Sequence, residues 1–283
     1  MHRSMMGVQE MKKSSSKAAF PYVLWVLFFT VIPFLLVIYF AFTSKSTGYI
    51  SIENLTNASK YLPVLIRSVY LAVIATVVCL VIAYPLAFTM SRCSKPVQRL
   101  LLLMVMLPMW MNFLLRTYAW VTILDNNGII NNFLVSLGLP RLQLINNRSA
   151  VVLGMVYNYL PFMITPLYSI MTKIDKSVIE ASQDLGCNPL KVITKIVLPV
   201  SLPGIHTGIT MTFVPAVSTF VISGLLGGSN CFLIGDLIQQ QFLGNEYNLH
   251  YGAATSLLLM VVVFISMGIF NSFDNDEMED SMV

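Results

Sequence analysis

Charge is scarce in this sequence: 11% of its 283 residues are Asp, Glu, Lys or Arg, and mean hydropathy is +0.75. Soluble globular proteins carry about a quarter charged residues, so a disordered chain and an ordinary cytosolic enzyme are both excluded, and lipid is the solvent this composition suits. Cysteine pairs are missing too. Cys79, Cys93, Cys187 and Cys231 lie far apart, with no CxxC and no metal-ligand spacing, which excludes a disulfide-rich scaffold and a zinc module. No G-x-x-x-x-G-K-[ST] occurs, so the chain cannot hold ATP as a phosphate-loop enzyme does. HExxH, GxSxG and Cys/His pairs are absent, and His2, His206 and His250 are scattered. A catalytic residue, a metal or a cofactor of its own is therefore not expected, nor is a nucleic-acid partner.

What is present is long apolar runs. A bilayer core takes about 20 mostly apolar residues per helix. Six stretches qualify: Tyr22–Phe42, Val64–Met90, Leu100–Leu124, Ser149–Met171, Ile205–Leu226 and Tyr251–Phe270. The first is too long for a signal-peptide core and no Ala-x-Ala site follows it, so it reads as a retained helix. Of the 17 Lys and Arg, one side holds Arg3, Lys12, Lys13, Lys17, Arg92, Lys95, Arg99, Lys173, Lys176, Lys191 and Lys195. Lys45, Lys60, Arg67, Arg116, Arg141 and Arg148 fall on the other. The positive-inside rule makes the first side cytoplasmic, with both termini inside. Residues 1–21 form a cytoplasmic lead, 22–270 the six-span domain, and 271–283 an acidic tail.

Proline lies inside five spans, at Pro33, Pro85, Pro108, Pro161 with Pro166, and Pro215. Each frees a helix carbonyl that neighbouring helices or water must satisfy. Asn112, Arg116, Asn158, Thr165, Thr207, Thr210 and Thr212 lie at span depth. One such residue is ordinary packing glue; together they suggest a bundle with a polar interior. No Asp or Glu sits centrally in any span, which argues against a proton-coupled secondary transporter. Two outer loops, 125–148 and 227–250, each promise a short helix, at Gly128–Leu134 and Leu233–Phe242.

The cytoplasmic loop 172–204 is the most informative. Asp175 or Ser177 can cap a helix, and Ser177-x-x-Glu180 has capping-box spacing. Gly186 suits the left-handed stop. Asn188 then caps a second helix with Pro189 at its first position, which is expected to end before Pro199. Two short helices joined at a glycine thus project from the bundle. Glu180-Ala181-Ser182-x-x-x-Gly186, followed by Leu198-Pro199-x-x-x-Pro203-Gly204-Ile205, resembles the EAA loop of bacterial ABC-importer permeases, with Ser182 for the usual second Ala and Cys187 for a common Ala.

Further segments resemble the spermidine/putrescine permeases, the first of their two permease subunits more than the second. They are Pro108-x-Trp110-x-Asn112 through Trp120, Gly128-Ile129-Ile130-Asn131, Leu137-Gly138-Leu139-Pro140, Asp184-Leu185-Gly186 and Leu233–Phe242. Permeases for ferric iron, thiamine and other solutes share parts of these motifs.

The resemblance implies an all-α integral membrane protein with the six-helix type I ABC-importer permease fold, in the bacterial cytoplasmic membrane. Its partners would be an ATPase dimer that uses the ATP, a second homologous permease subunit and an extracytoplasmic polyamine-binding protein. Glu180, Ala181, Ser182, Asp184 and Gly186 would form the coupling element, with Ala181 and Ser182 keeping the docked face thin. A cationic cargo needs acidic or aromatic company, which nominates Asp236, Trp110, Asn112, Tyr118, Tyr157 and Tyr159 for its path. Glu246 shares the last outer loop with Asp236. Arg116 either snorkels to the outer interface or pairs with Asp125.

Overall fold

The computed structural model describes residues 20–44, 49–244 and 247–280. Arg3, Lys12, Lys13, Lys17, Lys45 and Glu246 lie outside them. In chain order the helices are α1 (Phe20–Ala41), α2 (Glu53–Ala58), α3 (Leu62–Arg92), α4 (Lys95–Trp110), α5 (Phe113–Leu124) and α6 (Ile129–Ser136). Then come α7 (Arg148–Met171), α8 (Lys176–Asp184), α9 (Pro189–Val217), α10 (Ile234–Leu243) and α11 (Leu249–Asp280). Among the described residues the only β-type pairing is an isolated bridge between Thr43 and Ile50.

Five helices are long and apolar enough to cross a bilayer alone: α1, α3, α7, α9 and the Leu249–Ile269 part of α11. The sixth crossing is broken. Sequence alone predicts one helix over Leu100–Leu124, but α4 and the α5–α6 segment meet at a 90° bend. The cause is Asn112, which takes an extended backbone (ψ 128°) and turns its Oδ1 to accept from the Leu114 N–H at 2.8 Å. A polar residue after an apolar helix thus caps the next helix rather than decorating the middle of a long one.

The fifth crossing also departs from expectation. The helix after Asn188 does not stop before Pro199; it runs unbroken to Val217. A π-helical turn, Ile193–Val197, lets the Leu198 N–H reach back to Ile193 O. That wider turn accommodates Pro199, which has no N–H to offer. At its other end the helix stops earlier than Leu226. Gly235 of α10 seats against the Ser218 and Thr219 carbonyls, where a Cβ would approach within 2.6 Å.

Helices α3, α7 and α9 form the centre. Gly204 and Gly208 of α9 lie against Ile170 and Met163 of α7, a close approach that small residues permit. The core has two tiers. One, at the α8 end, joins Cys79, Ala83, Ala87 and Met90 to Met163, Leu167, Met171 and Val197. The other, at the α10 end, joins Leu71, Ala72 and Ala75 to Val151, Met155, Phe213, Leu226 and Leu233. Helix α11 closes the bundle against α1 and α2, with Ala41, Ala58, Ala253 and Ala254 buried between them. The large side chains along α1, Trp25, Phe28 and Phe29 among them, are exposed, as an apolar face in lipid can be.

Candidate functional site

Helix α8 and the start of α9 make a hairpin that stands off the end of the bundle. Its root is tied down by Arg92. The Arg92 Nη1 donates to Ile174 O and Nη2 to Met171 O, each at 3.1 Å, so a cation at the foot of α3 caps the last carbonyls of α7. Gln98 closes the neighbouring turn, its Nε2 donating to Ser91 O and Cys93 O at 2.9 Å. In the sequence Arg92 shows only as one of the cytoplasmic-side cations and Gln98 carries no motif; a basic residue at a helix end facing a second helix end was the available signal.

The hairpin turn is a complete Schellman motif. The Cys187 N–H donates to Ser182 O at 3.0 Å and the Gly186 N–H to Gln183 O at 2.8 Å. Gly186 sits at φ +84° with open space around it, so the need for glycine is conformational, not steric. Asn188 caps α9 as expected, its Oδ1 accepting from the Lys191 N–H at 2.8 Å. The expected capping box does not form: Asp175 holds the cap position of α8, without a side-chain bond.

The faces of α8 divide cleanly. Glu180, Ala181 and Asp184 are exposed on one side, and beyond them stand Leu185 (87% exposed) and Leu190 (71% exposed). Ser182 is on the other side. It is buried and its hydroxyl donates to Ile179 O at 2.6 Å. It therefore faces inward, on the side of Ile179, which packs against the α8-end tier of the core. Ile179 and Ser182, three apart, share the inward stripe.

At the opposite end, residues grouped by sequence as a cargo path are scattered. Trp110 (77% exposed) ends α4, and Tyr118 is exposed on the outer face of α5. Asn112 between them is occupied as the cap of α5. Tyr157 packs edge-on against Trp120, ring centres 5.4 Å apart. Tyr159 is buried, and its hydroxyl donates to Pro215 O at 3.2 Å.

Asp236 is not an exposed loop carboxylate. It is buried at the start of α10, where Oδ2 accepts from the Leu233 N–H at 2.8 Å and Oδ1 from the Ser223 hydroxyl at 3.0 Å. Burial pushes its pKa up to about 6, against the downward pull of those two hydrogen bonds. A third bond fixes the same helix start, from the Ile234 N–H to Ser68 Oγ of α3 at 2.8 Å.

Arg116 does not snorkel. It is buried, its guanidinium lies 5.8 Å from the Phe113 ring centre, and Nε and Nη1 have no hydrogen-bond partner, so no bond from these two atoms reaches Asp125. Asn158 is buried as well, its Nδ2 donating to Gly154 O.

This arrangement can be set beside known proteins. Residues 80–275 match the family described as binding-protein-dependent transport system inner membrane component. The chain is 38% identical over 255 residues to the spermidine/putrescine transport system permease protein PotB of Haemophilus influenzae, covering 87% of this chain and 89% of that one. To PotB of Escherichia coli K12 it is 35% identical over the same length, covering 92% of that protein. Among solved structures it resembles a bacterial ABC transporter involved in alginate import, with a TM-score of 0.80 at 18% identity over 95% of this chain and 98% of the other. A weaker likeness, TM-score 0.58 at 16% identity, links 76% of this chain to 95% of a chain of the MetNI methionine ABC transporter. The structural likenesses establish the fold, all-α with six crossings once the bent pair is counted as one. The match over residues 80–275 and the identity across most of the chain establish the rest: this protein belongs to the binding-protein-dependent transport system inner membrane component family, the permeases of ABC importers.

Proposed function

We propose that this permease moves polyamines of the spermidine and putrescine class across the bacterial cytoplasmic membrane. It works beside a second permease subunit, driven by an ATPase dimer and supplied by an extracytoplasmic binding protein. The cargo reading rests on the identity to the PotB proteins over 87% of the chain. The observation that carries the energy-coupling reading is the α8 hairpin, which exposes Glu180, Asp184, Leu185 and Leu190 together, covered by nothing among the described residues.

Exposed leucines at the tip of a rigid turn suit a groove on a partner protein, and the two carboxylates suit basic residues at its rim. Ala181, small and exposed, permits close approach. On this reading the hairpin end is cytoplasmic and residues 172–204 are the coupling loop. ATP-driven closure of the ATPase dimer then pushes the hairpin, and Arg92 passes the push to α3 and α7 as a rigid body. For the cargo, Trp110 and Tyr118 offer exposed π faces to an ammonium group. Asp236 and Tyr159 serve at one remove, by holding the walls in place.

The test is reconstitution of the complex with a polyamine-loaded binding protein in vesicles. The reading expects ATP-dependent uptake of spermidine or putrescine and co-elution of the ATPase with this chain. Co-elution without polyamine uptake would remove the cargo and keep the coupling; failure of co-elution would remove the coupling.

A further inference from the structure

Between α3 and α7 runs a cleft of about 550 Å³ that the transport reading does not use. Its wall on α3 extends from Tyr70 to Ile82, and Val152 and Val156 of α7 face it. Twelve residues of helix rise about 18 Å, close to the roughly 15 Å depth of one leaflet of hydrocarbon. The floor is apolar throughout. Only the mouth, towards the α10 end, is polar, where Tyr70, Ser149 and Arg148 meet.

A second arginine stands one turn above this mouth by its register on α3. Arg67 precedes Tyr70 and Leu71 by three and four residues, which puts it on the same face of α3, one turn above the cleft. The charges of Arg67 and Arg148 are both felt at the Cys231 thiol, where they oppose the upward push of burial on its pKa. Arg148, the first residue of α7, lines the mouth itself. Neither arginine makes a hydrogen bond or an ion pair among the described residues. The one carboxylate felt at the same thiol is Asp236, and it is buried with both oxygens bonded to Ser223 and Leu233. Two uncompensated cations thus stand at the top of an apolar slot one leaflet deep, beside the N-terminus of α7, whose dipole adds to their field.

We infer that this cleft holds an anionic phospholipid, one acyl chain lying between α3 and α7 and the phosphate between Arg67 and Arg148. A basic pocket between membrane helices is the chemistry that recognises anionic head groups. The depth favours a lipid over a partner helix, because the slot spans one leaflet instead of running the full membrane thickness.

The test uses the assembled importer, equilibrated in bilayers of phosphatidylcholine doped with phosphatidylglycerol and then released for native mass spectrometry. The wild-type complex should retain bound phosphatidylglycerol in preference to phosphatidylcholine. At about 1 kcal/mol for each arginine near the surface, the double variant R67Q/R148Q should bind it roughly thirtyfold more weakly. Val78→Trp, which fills the slot without changing charge, should also lose the lipid while still co-eluting with the ATPase. Equal retention by wild type and R67Q/R148Q, or no preference for the anionic lipid, would overturn the assignment. So would efficient cross-linking of a Val78→Cys variant to the second permease subunit, which would put protein in the slot.

Discussion

At α8, Glu180 and Asp184 stand in solvent beside Leu185 and Leu190, with no side-chain partner among the described residues. At α10, Asp236 is 7% exposed and both its oxygens accept hydrogen bonds from its own bundle. Both helices are short, both lie in loops between membrane crossings, and both carry acid in an otherwise apolar setting. An exposed carboxylate is worth little to the fold and is free for a partner. A buried one has paid its desolvation and holds two donors that would be orphaned without it. The acid on α8 is surface open to another protein; the acid on α10 is part of this chain's own structure.

Reversing the exposed charge should have the largest effect on transport. Glu180→Lys and Gly186→Val are each expected to cut uptake at least tenfold and to lower recovery of the ATPase with the permease. On the proposed docking, the first repels basic residues of the partner. The second forces a β-branched residue to φ +84°, a strain of about 1–3 kcal/mol that the turn relieves by changing shape. Normal uptake by both variants would make the hairpin an ordinary loop and dissolve the comparison.

Asp236 sharpens the other half. Asp236→Ala should destabilise the fold by about 1–3 kcal/mol, since the Leu233 N–H and the Ser223 hydroxyl lose their acceptor. Asp236→Asn should keep uptake within about twofold, because an amide oxygen can still accept from the Leu233 N–H while Ser223 accepts from the amide and donates to Phe220 O. The two variants should differ in pH dependence as well. A carboxyl raised from 3.8 to about 6 in the fold lends stability that is full below pH 3.8 and is lost as pH rises through about 6. Thermal unfolding of the wild type should therefore show a fall in stability between pH 4 and 7 that Asp236→Asn lacks. Abolished uptake in a well-folded Asp236→Asn variant would instead put the carboxylate in contact with cargo.

The smallest effect concerns the far leg of the hairpin. Asn188→Ala removes one cap and should cost about 1 kcal/mol. It should appear as faster hydrogen exchange over the first turn of α9, with uptake reduced only slightly.

Local chemistry explains why the hairpin was largely legible. Gly186, Asn188 and Pro189 act within four residues of themselves, and each does in the structure what its residue type favours. The Ser177-x-x-Glu180 spacing misled because Asp175, two residues earlier, took the cap position. Apolar runs placed four crossings closely, the first, second, fourth and sixth, since length and hydropathy need no neighbours. What failed depended on packing across the bundle. The 90° break at Asn112 could be read as a cap or as a polar residue inside a span. Pro199 stops a helix unless a π turn absorbs it. The Leu233 N–H is a local partner of Asp236 at the helix start, but Ser223 becomes its neighbour only once α10 folds back on the end of the fifth crossing. Aromatic residues gave the weakest guide, because Trp110, Tyr118, Tyr157 and Tyr159 suit an interface, a core and a cation path equally well, and the structure distributes them among different surroundings.

The most direct test of the account is cross-linking from the hairpin tip. In a variant freed of Cys79, Cys93, Cys187 and Cys231, a single Leu185→Cys should cross-link to the ATPase subunit in membranes, and a single Gln239→Cys on α10 should not. A Leu185→Cys adduct with the ATPase that changes in yield when ATP is added would match a docked, moving hairpin. No adduct at Leu185 in a transport-competent complex, or an adduct only from α10, would contradict it.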